Sequence, residues 1–245
     1  MARYFIHLSY DGTNYHGWQV QPNGSSVQAE LQRAISTLLR QPVEVVGAGR
    51  TDAGVHARKM VAHFDVTERL DERQMAYRMN RILPRDISVE KIEEVSEDMH
   101  ARFSATSRTY HYYIHTHKDP FRRAYSCETH YELDFEAMNK AAGYLLTQDD
   151  FASFCKTGAD VKTTICHVTH AQWHQTSPTT YYFEITANRF LRNMVRAVVG
   201  TLIDVGRHRI SIEDFKKIVS NKTRTAAGES MPAHALFLEE VLYNQ

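Results

Sequence analysis

The order in which two hydrophobic periods alternate along this chain narrows its fold more than any other feature. A two-residue period predicts a strand over residues 4–10, and a helical period follows with Val27, Leu31, Ala34, Ile35, Leu38 and Leu39 on one face. Ser25-x-x-Gln28 supplies a cap signal for that helix, and Pro42 ends it. Residues 43–48 and 60–66 read as two further strands, 71–83 as a helix closed by Pro84, and 87–95 as a strand. Asp11-Gly12 and Pro22-Asn23-Gly24 mark the loop after the first strand. The order is β-α-β-β-α-β.

The second part of the chain repeats it. Strands are expected at 109–115, 167–173 and 181–186, with a helix at 135–146 between the first two. An amphipathic helix then carries Phe190, Leu191, Met194, Val195, Val198, Val199 and Leu202 and ends at Gly206. A short capped helix from Ser211 precedes a last strand at 237–242. The pattern predicts an α+β chain of two ferredoxin-like (βαββαβ) halves, 1–103 and 104–245. Residues 97–107 lack the Pro/Gly/Ser character of a linker, so the halves are expected to pack as one body around a central cleft.

Several classes of protein are excluded by composition. With 245 residues the chain can bury a sizeable core, and no run of about 18 apolar residues predicts a membrane span. The N-terminal segment alternates like a strand and lacks the apolar core of a signal peptide. Cys127, Cys155 and Cys166 form no CxxC pair, which fits a reducing compartment, and the expectation is a cytoplasmic protein. A formal net charge of zero gives no bulk attraction to a polyanion, so any nucleic-acid contact must come from a local patch. Arginine is used about twice as often as lysine, and guanidinium forks onto phosphates and stacks on bases as ammonium cannot.

Chemistry concentrates in Gly47-Ala48-Gly49-Arg50-Thr51-Asp52-Ala53-Gly54-Val55-His56-Ala57. Glycines permit tight bends and close approach to a ligand, and Arg50 two residues from Asp52 favours the ionised carboxylate. Such an aspartate suits nucleophilic or general-base work; the plainer reading is a turn residue bonding its own backbone. The third glycine of a dinucleotide fingerprint is replaced by Asp52, and no P-loop lysine follows.

Two further stretches carry site-like residues. Ser104 to Tyr110 leads a polar turn into an aromatic strand, where Tyr110 either stacks on a base or joins a layer with Tyr112 and Tyr113. Arg189, Arg192 and Arg196, at i, i+3 and i+7, are expected to share a helix face. Arg196 precedes Ala197-Val198-Val199, so partial burial would demand an anion, whereas Arg189 and Arg192 are solvated or contact phosphate. Fourteen histidines raise the question of a metal, but there is no HExxH and no Cys-His set with zinc spacing, and polar strand faces account for residues such as His115, His117, His167 and His170. No GxSxG elbow supports a serine hydrolase.

Six ordered blocks resemble the TruA family of tRNA pseudouridine synthases. They are Tyr10-Asp11-Gly12-Thr13 with Gly17-Trp18-Gln19; Val27-Gln28 with Glu30-Leu31; Gly49 to Ala57; Phe103-Ser104-Ala105-Thr106 to Tyr110; Phe190-Leu191 with Met194-Val195-Arg196 and Val199-Gly200; and Pro232-Ala233 with Leu236-Phe237-Leu238. Arg189 stands where the family usually has a small residue, and Ala235 where it usually has glycine.

The resemblance implies a pseudouridine-synthase fold, a homodimer with tRNA across both subunits, and isomerisation of uridine at positions 38 to 40 of the anticodon stem-loop without cofactor or metal. By the same resemblance Asp52 is the catalytic carboxylate, Tyr110 stacks on the target base, Arg196 pairs with Asp52 and Leu236 lines the uracil pocket. Arg50 is assigned to substrate binding, and Arg58, Arg189 and Arg192 to RNA contacts. Nucleophile and general base both remain open roles for the carboxylate. The rival readings are a non-catalytic RNA-binding module, which lacks its aromatic RRM signature here, and a metal-dependent nucleotide enzyme using the histidines.

Overall fold

The computed structural model describes residues 1–22, 24–158 and 161–244; Asn23 of the expected loop lies outside them. In chain order the elements are β1 (Ala2–Tyr10), α1 (Val27–Leu39), β2 (Val46–Gly47), β3 (His56–Val66), α2 (Glu72–Ile82), β4 (Ile87–Val95), β5 (Ala105–His115) and β6 (Cys127–Glu128). They continue with α3 (Phe135–Tyr144), β7 (Val168–Ser177), β8 (Thr180–Ala187), α4 (Met194–Gly206), α5 (Ile212–Ser220) and β9 (Leu236–Tyr243). The architecture is mixed α+β, in two compact units: Met1–Thr106 with Phe237–Gln245, and Ser107–Leu236. The chain-order expectation kept 104–245 together. The last strand instead groups with the first unit, where it pairs in parallel with β3 (His56 opposite Phe237) and sets the Tyr243 ring 5.0 Å from Phe5.

In the first unit β1 lies between β4 and β3, antiparallel to both, and β2 pairs with β3. Tyr4, Ile6 and Leu8 alternate along β1 and are buried with Met60, Phe64, Leu31 and Ile35. Each such side chain contributes roughly 1.5–3 kcal/mol by leaving water.

Three expectations are corrected here. The strand foreseen over 43–48 shrinks to two residues because side chains of α1 occupy its backbone. Ser36 Oγ accepts from the Val43 N–H at 3.0 Å, and Gln28 Nε2 donates to the Val45 carbonyl at 2.7 Å. Those groups are satisfied without a neighbouring strand. The N-cap of α1 is Ser26, accepting from the Ala29 N–H at 3.3 Å, which displaces Ser25 from the role. The helix also stops before Pro42, at Arg40 in the left-handed region (φ 56°). By contrast α2 starts at its Asp71 cap and ends before Pro84, as the sequence predicts.

In the second unit β5, β8 and β7 form an antiparallel run, and the short β6 adds to β5 in parallel. Trp173, Phe183, Ile185 and Tyr112 are buried on one face of that sheet. Ser211 and Asp214 close a reciprocal capping box on α5. The helix α4 begins at Met194, four residues later than its apolar pattern suggests. Asn193 is in the left-handed region (φ 67°), with its side-chain amide on Ser230 Oγ at 2.5 Å. Nearly every residue of α4 is buried, so this is a core helix rather than a surface amphipathic one. Cys127, Cys155 and Cys166 are free and buried, and burial pushes the Cys166 thiol up to about 11. Among the described residues no helix is long and apolar enough to cross a membrane.

Candidate active site

The glycine-rich run lies between β2 and β3 and is held from below by residues 10–18. Its entry is fixed by the Ala48 N–H donating to the Val61 carbonyl at 2.8 Å. At its centre Thr51 pairs through Oγ1 with the Tyr10 hydroxyl at 2.9 Å, and its carbonyl accepts from the Trp18 N–H at 3.4 Å. Asp52, half-buried, follows; the turn closes with the Val55 N–H on the Asp52 carbonyl at 3.2 Å and the Gly54 N–H on the Tyr15 carbonyl at 3.3 Å. His56 Nδ1 lies 3.0 Å from the Gly12 nitrogen and 3.0 Å from Asp11 Oδ1, which seals the exit.

Contact this close depends on the missing Cβ of two glycines outside the run. A Cβ at Gly12 would stand 2.0 Å from the Val55 carbonyl oxygen, and one at Gly17 (φ +95°) would stand 2.3 Å from that of Thr51. Gly49, inside the run, has no atom within 4 Å of such a Cβ, so its packing does not depend on the missing side chain. The floor is itself anchored: Tyr15 donates its hydroxyl to Asp86 at 2.6 Å, and the Asp11 N–H donates to the Asp86 carbonyl at 2.9 Å. Burial, reinforced by Asp86, pushes the Tyr15 phenol well above its usual range. The aspartate therefore sits on a backbone frame fixed at both ends, which is what a group aimed at a reacting atom requires.

Around this loop Arg50 is exposed. Arg58, exposed on β3, lies over the Phe237 ring at 5.0 Å and bonds Glu239 Oε1 through Nε at 3.0 Å. Phe237 also stacks on His56 at 4.5 Å, so the base of the Asp52 loop and the start of β9 share one aromatic contact.

The second unit gathers other residues singled out in the sequence. Tyr110, half-buried on β5 opposite Ile185, meets Phe190 edge-to-face at 5.1 Å. Strand alternation puts Tyr112 on its side of the sheet and Tyr113 on the other, so the three tyrosines do not form one layer. Arg196, half-buried on α4, donates through Nε to the Met231 carbonyl at 2.5 Å, and its own carbonyl accepts from the Met231 N–H at 3.1 Å. The Tyr112 hydroxyl donates to the Pro232 carbonyl at 3.0 Å and the Gly228 N–H to Thr201 Oγ1 at 2.9 Å. Three hydrogen bonds to α4 and one to β5 thus fix residues 228–232 just before Leu236, which is 6% exposed.

Arg189 and Arg192 precede α4 and do not share a helical face with Arg196, because Asn193 breaks the period between them. Arg189 instead turns toward the Thr163 carbonyl at 3.3 Å, and Arg192 is exposed. Phe190 and the strap at 228–232 carry supporting contacts that residue types did not assign. The strap has no apolar period or charge signal to find it by.

A family model described as tRNA pseudouridine synthase matches residues 6–104 and 141–244. The tRNA pseudouridine synthase A of Bacteroides thetaiotaomicron is 56% identical over 245 residues, covering 99% of this chain and 91% of the relative. That of Bacteroides fragilis is 57% identical over 246 residues (100% and 98%), and that of Bacillus licheniformis 42% identical over 241 residues (97% and 97%). The chain belongs to the tRNA pseudouridine synthase family, whose members are isomerases.

Proposed function

We propose that this protein isomerises uridine to pseudouridine at positions 38 to 40 in the anticodon stem-loop of tRNA, with Asp52 as nucleophile. The observation that carries the reading is the frame around Asp52. A half-buried carboxylate follows a threonine held by Tyr10 and Trp18 and precedes a turn closed onto Tyr15. In the reaction the uracil N1–C1′ bond breaks, the ring turns, and a C5–C1′ bond forms. The C5 proton is released and N1 takes one up, so no oxidant and no net change of composition are needed. A carboxylate can hold the detached partner covalently while the ring turns.

The remaining assignments rest on the family resemblance. Tyr110 offers the flat face on which the detached base turns, Arg196 supplies the charge that keeps the carboxylate ionised, Arg50 binds substrate and Leu236 forms an apolar wall of the uracil pocket. Arg58, Arg189 and Arg192 contact RNA, read by shape and phosphate rather than by base edges. The target nucleotide leaves its stack first, which costs least in weakly paired positions. In this reading the chain is two ferredoxin-like halves, acts as a cytoplasmic homodimer, and uses no metal or cofactor in the reaction.

The test is tritium release from tRNA labelled at uridine C5, with substrates in which uridines 38, 39 and 40 are replaced by cytidine. Release should vanish with all three replaced. Undiminished release from that substrate would overturn the site of action, and no release from any tRNA that binds would favour an RNA-binding module instead.

A further inference from the structure

On the sheet of the second unit, the face opposite Tyr110 and Tyr112 carries a cluster that no part of the proposed reaction uses. Antiparallel pairing sets Gln172 of β7 opposite Glu184 of β8, and Glu184 opposite His111 of β5. His170 and His174, two residues to either side of Gln172, share its face. Three imidazoles from two strands therefore converge on one carboxylate of the strand between them. His174 Nε2 is 3.6 Å and His170 Nε2 3.9 Å from the Glu184 carboxylate oxygens, and His111 Nε2 is 3.5 Å away.

These distances exceed a good hydrogen bond. The Nε2 atoms of His170 and His174 are shielded from solvent and have no hydrogen-bond partner. Side-chain nitrogens shielded from water and left without a hydrogen bond each carry a desolvation penalty. A cation at their centre removes both penalties. The three donor atoms of His170, His174 and Glu184 lie within 4.8 Å of one another. Ligand atoms around a tetrahedral zinc ion stand about 3.3 Å apart, given bonds of roughly 2.0–2.1 Å. Binding an ion would draw these atoms closer together.

The rings are also held. His174 stacks on Tyr182 at 4.9 Å, and His111 packs on the same ring at 4.5 Å. A neutral imidazole pair with one carboxylate is a donor set suited to zinc-class ions rather than to magnesium or calcium.

We propose that His170, His174 and Glu184 form a binding site for a divalent transition-metal ion of the zinc class, with His111 orienting the Glu184 carboxylate and a fourth coordination position open to water. The i, i+4 spacing of the two histidines lies on a strand, and the β-bulge between Val168 and His170 adjusts their register. The ion would tie β7 to β8 on the side of the sheet away from Tyr110.

Metal-stripped full-length protein should take up one Zn²⁺ per chain in equilibrium dialysis, and Co²⁺ in its place should give visible d–d bands of imidazole coordination. His170→Gln and His174→Gln should each weaken uptake by more than ~10-fold, and His111→Gln by about 10-fold through lost carboxylate orientation. Zinc should raise the unfolding temperature of the wild type and leave that of the double variant unmoved. Circular dichroism of the zinc-free proteins separates a lost ligand from a lost fold. Failure of the wild type to bind stoichiometric zinc, or equal uptake by a folded His170→Gln/His174→Gln double variant, would overturn the proposal.

Discussion

Two carboxylates in this molecule, Asp52 and Glu184, are built into their surroundings in opposite ways. Asp52 belongs to a contiguous run of turn-forming residues, and backbone hydrogen bonds with Tyr15 and Trp18 hold that run in place. Glu184 sits at mid-strand and gains its neighbours sideways, from residues more than 70 positions earlier and 10 to 14 positions earlier. The first arrangement announces itself in sequence, because tight turns demand particular residue types in a fixed order. The second is invisible until strand register is known, since any strand can carry a histidine every second residue.

The largest effect is expected from disarming Asp52. Asp52→Asn should lower the single-turnover rate of tritium release by at least ~10³-fold while folding and tRNA affinity are retained. A rate near that of the wild type would remove Asp52 from the chemistry and leave its frame as mere architecture.

Arg196→Met tests whether the second unit contributes charge to catalysis or only grips RNA. As a partner of the reacting carboxylate it should cost ~10²-fold in rate, with tRNA affinity nearly constant. As a phosphate contact it should instead weaken binding and shallow its salt dependence by about one charge. Rate and salt titration on one preparation distinguish these.

His63 is 4% exposed and accepts from the Ala101 N–H at 3.1 Å, so its nitrogen is satisfied where those of His170 and His174 are not. Burial, helped by the nearby Arg3 guanidinium, lowers its folded-state value from 6.5 to about 4. The neutral ring is favoured in the fold. Its contribution is thus complete above about pH 6.5 and is lost as pH falls toward 4, amounting to roughly 2–3 kcal/mol. Denaturant unfolding at pH 7 and 4.5 should show this loss in the wild type and a smaller one in His63→Asn.

The smallest effect concerns the glycines. Gly12→Ala forces a methyl against the Val55 carbonyl and should destabilise by about 1–3 kcal/mol, with a shifted Asp52 loop lowering activity besides. Gly49→Ala meets nothing and should change stability by less than about 0.5 kcal/mol. Equal damage from both would mean that the loop is fixed by its own sequence rather than by the residues beneath it.

Much of the fold was legible because its signals are local. The strand at 87–95 appears at the expected residues, and α2 lies within the helix expected over 71–83 and closed by Pro84. The readings that failed did so where a distant group intervened. The strand expected over 43–48 lost its backbone to Gln28 and Ser36, and the helix expected to carry Phe190 was delayed by Asn193, held on Ser230. Arg189 and Arg192 consequently do not share a helix face with Arg196. In the candidate site, Asp52 and its turn were readable, whereas the strap at 228–232 and the edge of Phe190 against Tyr110 were not.

The amino-acid sequence alone determined the alternation of strands and helices, the capped helix from Ser211, and the placement of one carboxylate in a glycine-rich turn. These follow from backbone torsions and burial periods, which depend on near neighbours. Tertiary structure alone decided that β9 joins the first unit, that Gly12 and Gly17 rather than Gly49 admit the close approach, and that His170, His174 and Glu184 face one another. Those outcomes depend on which strands pair and in what register. That choice is made by the packing of the whole chain, because a shift of one residue would turn every side chain of a strand to its other face.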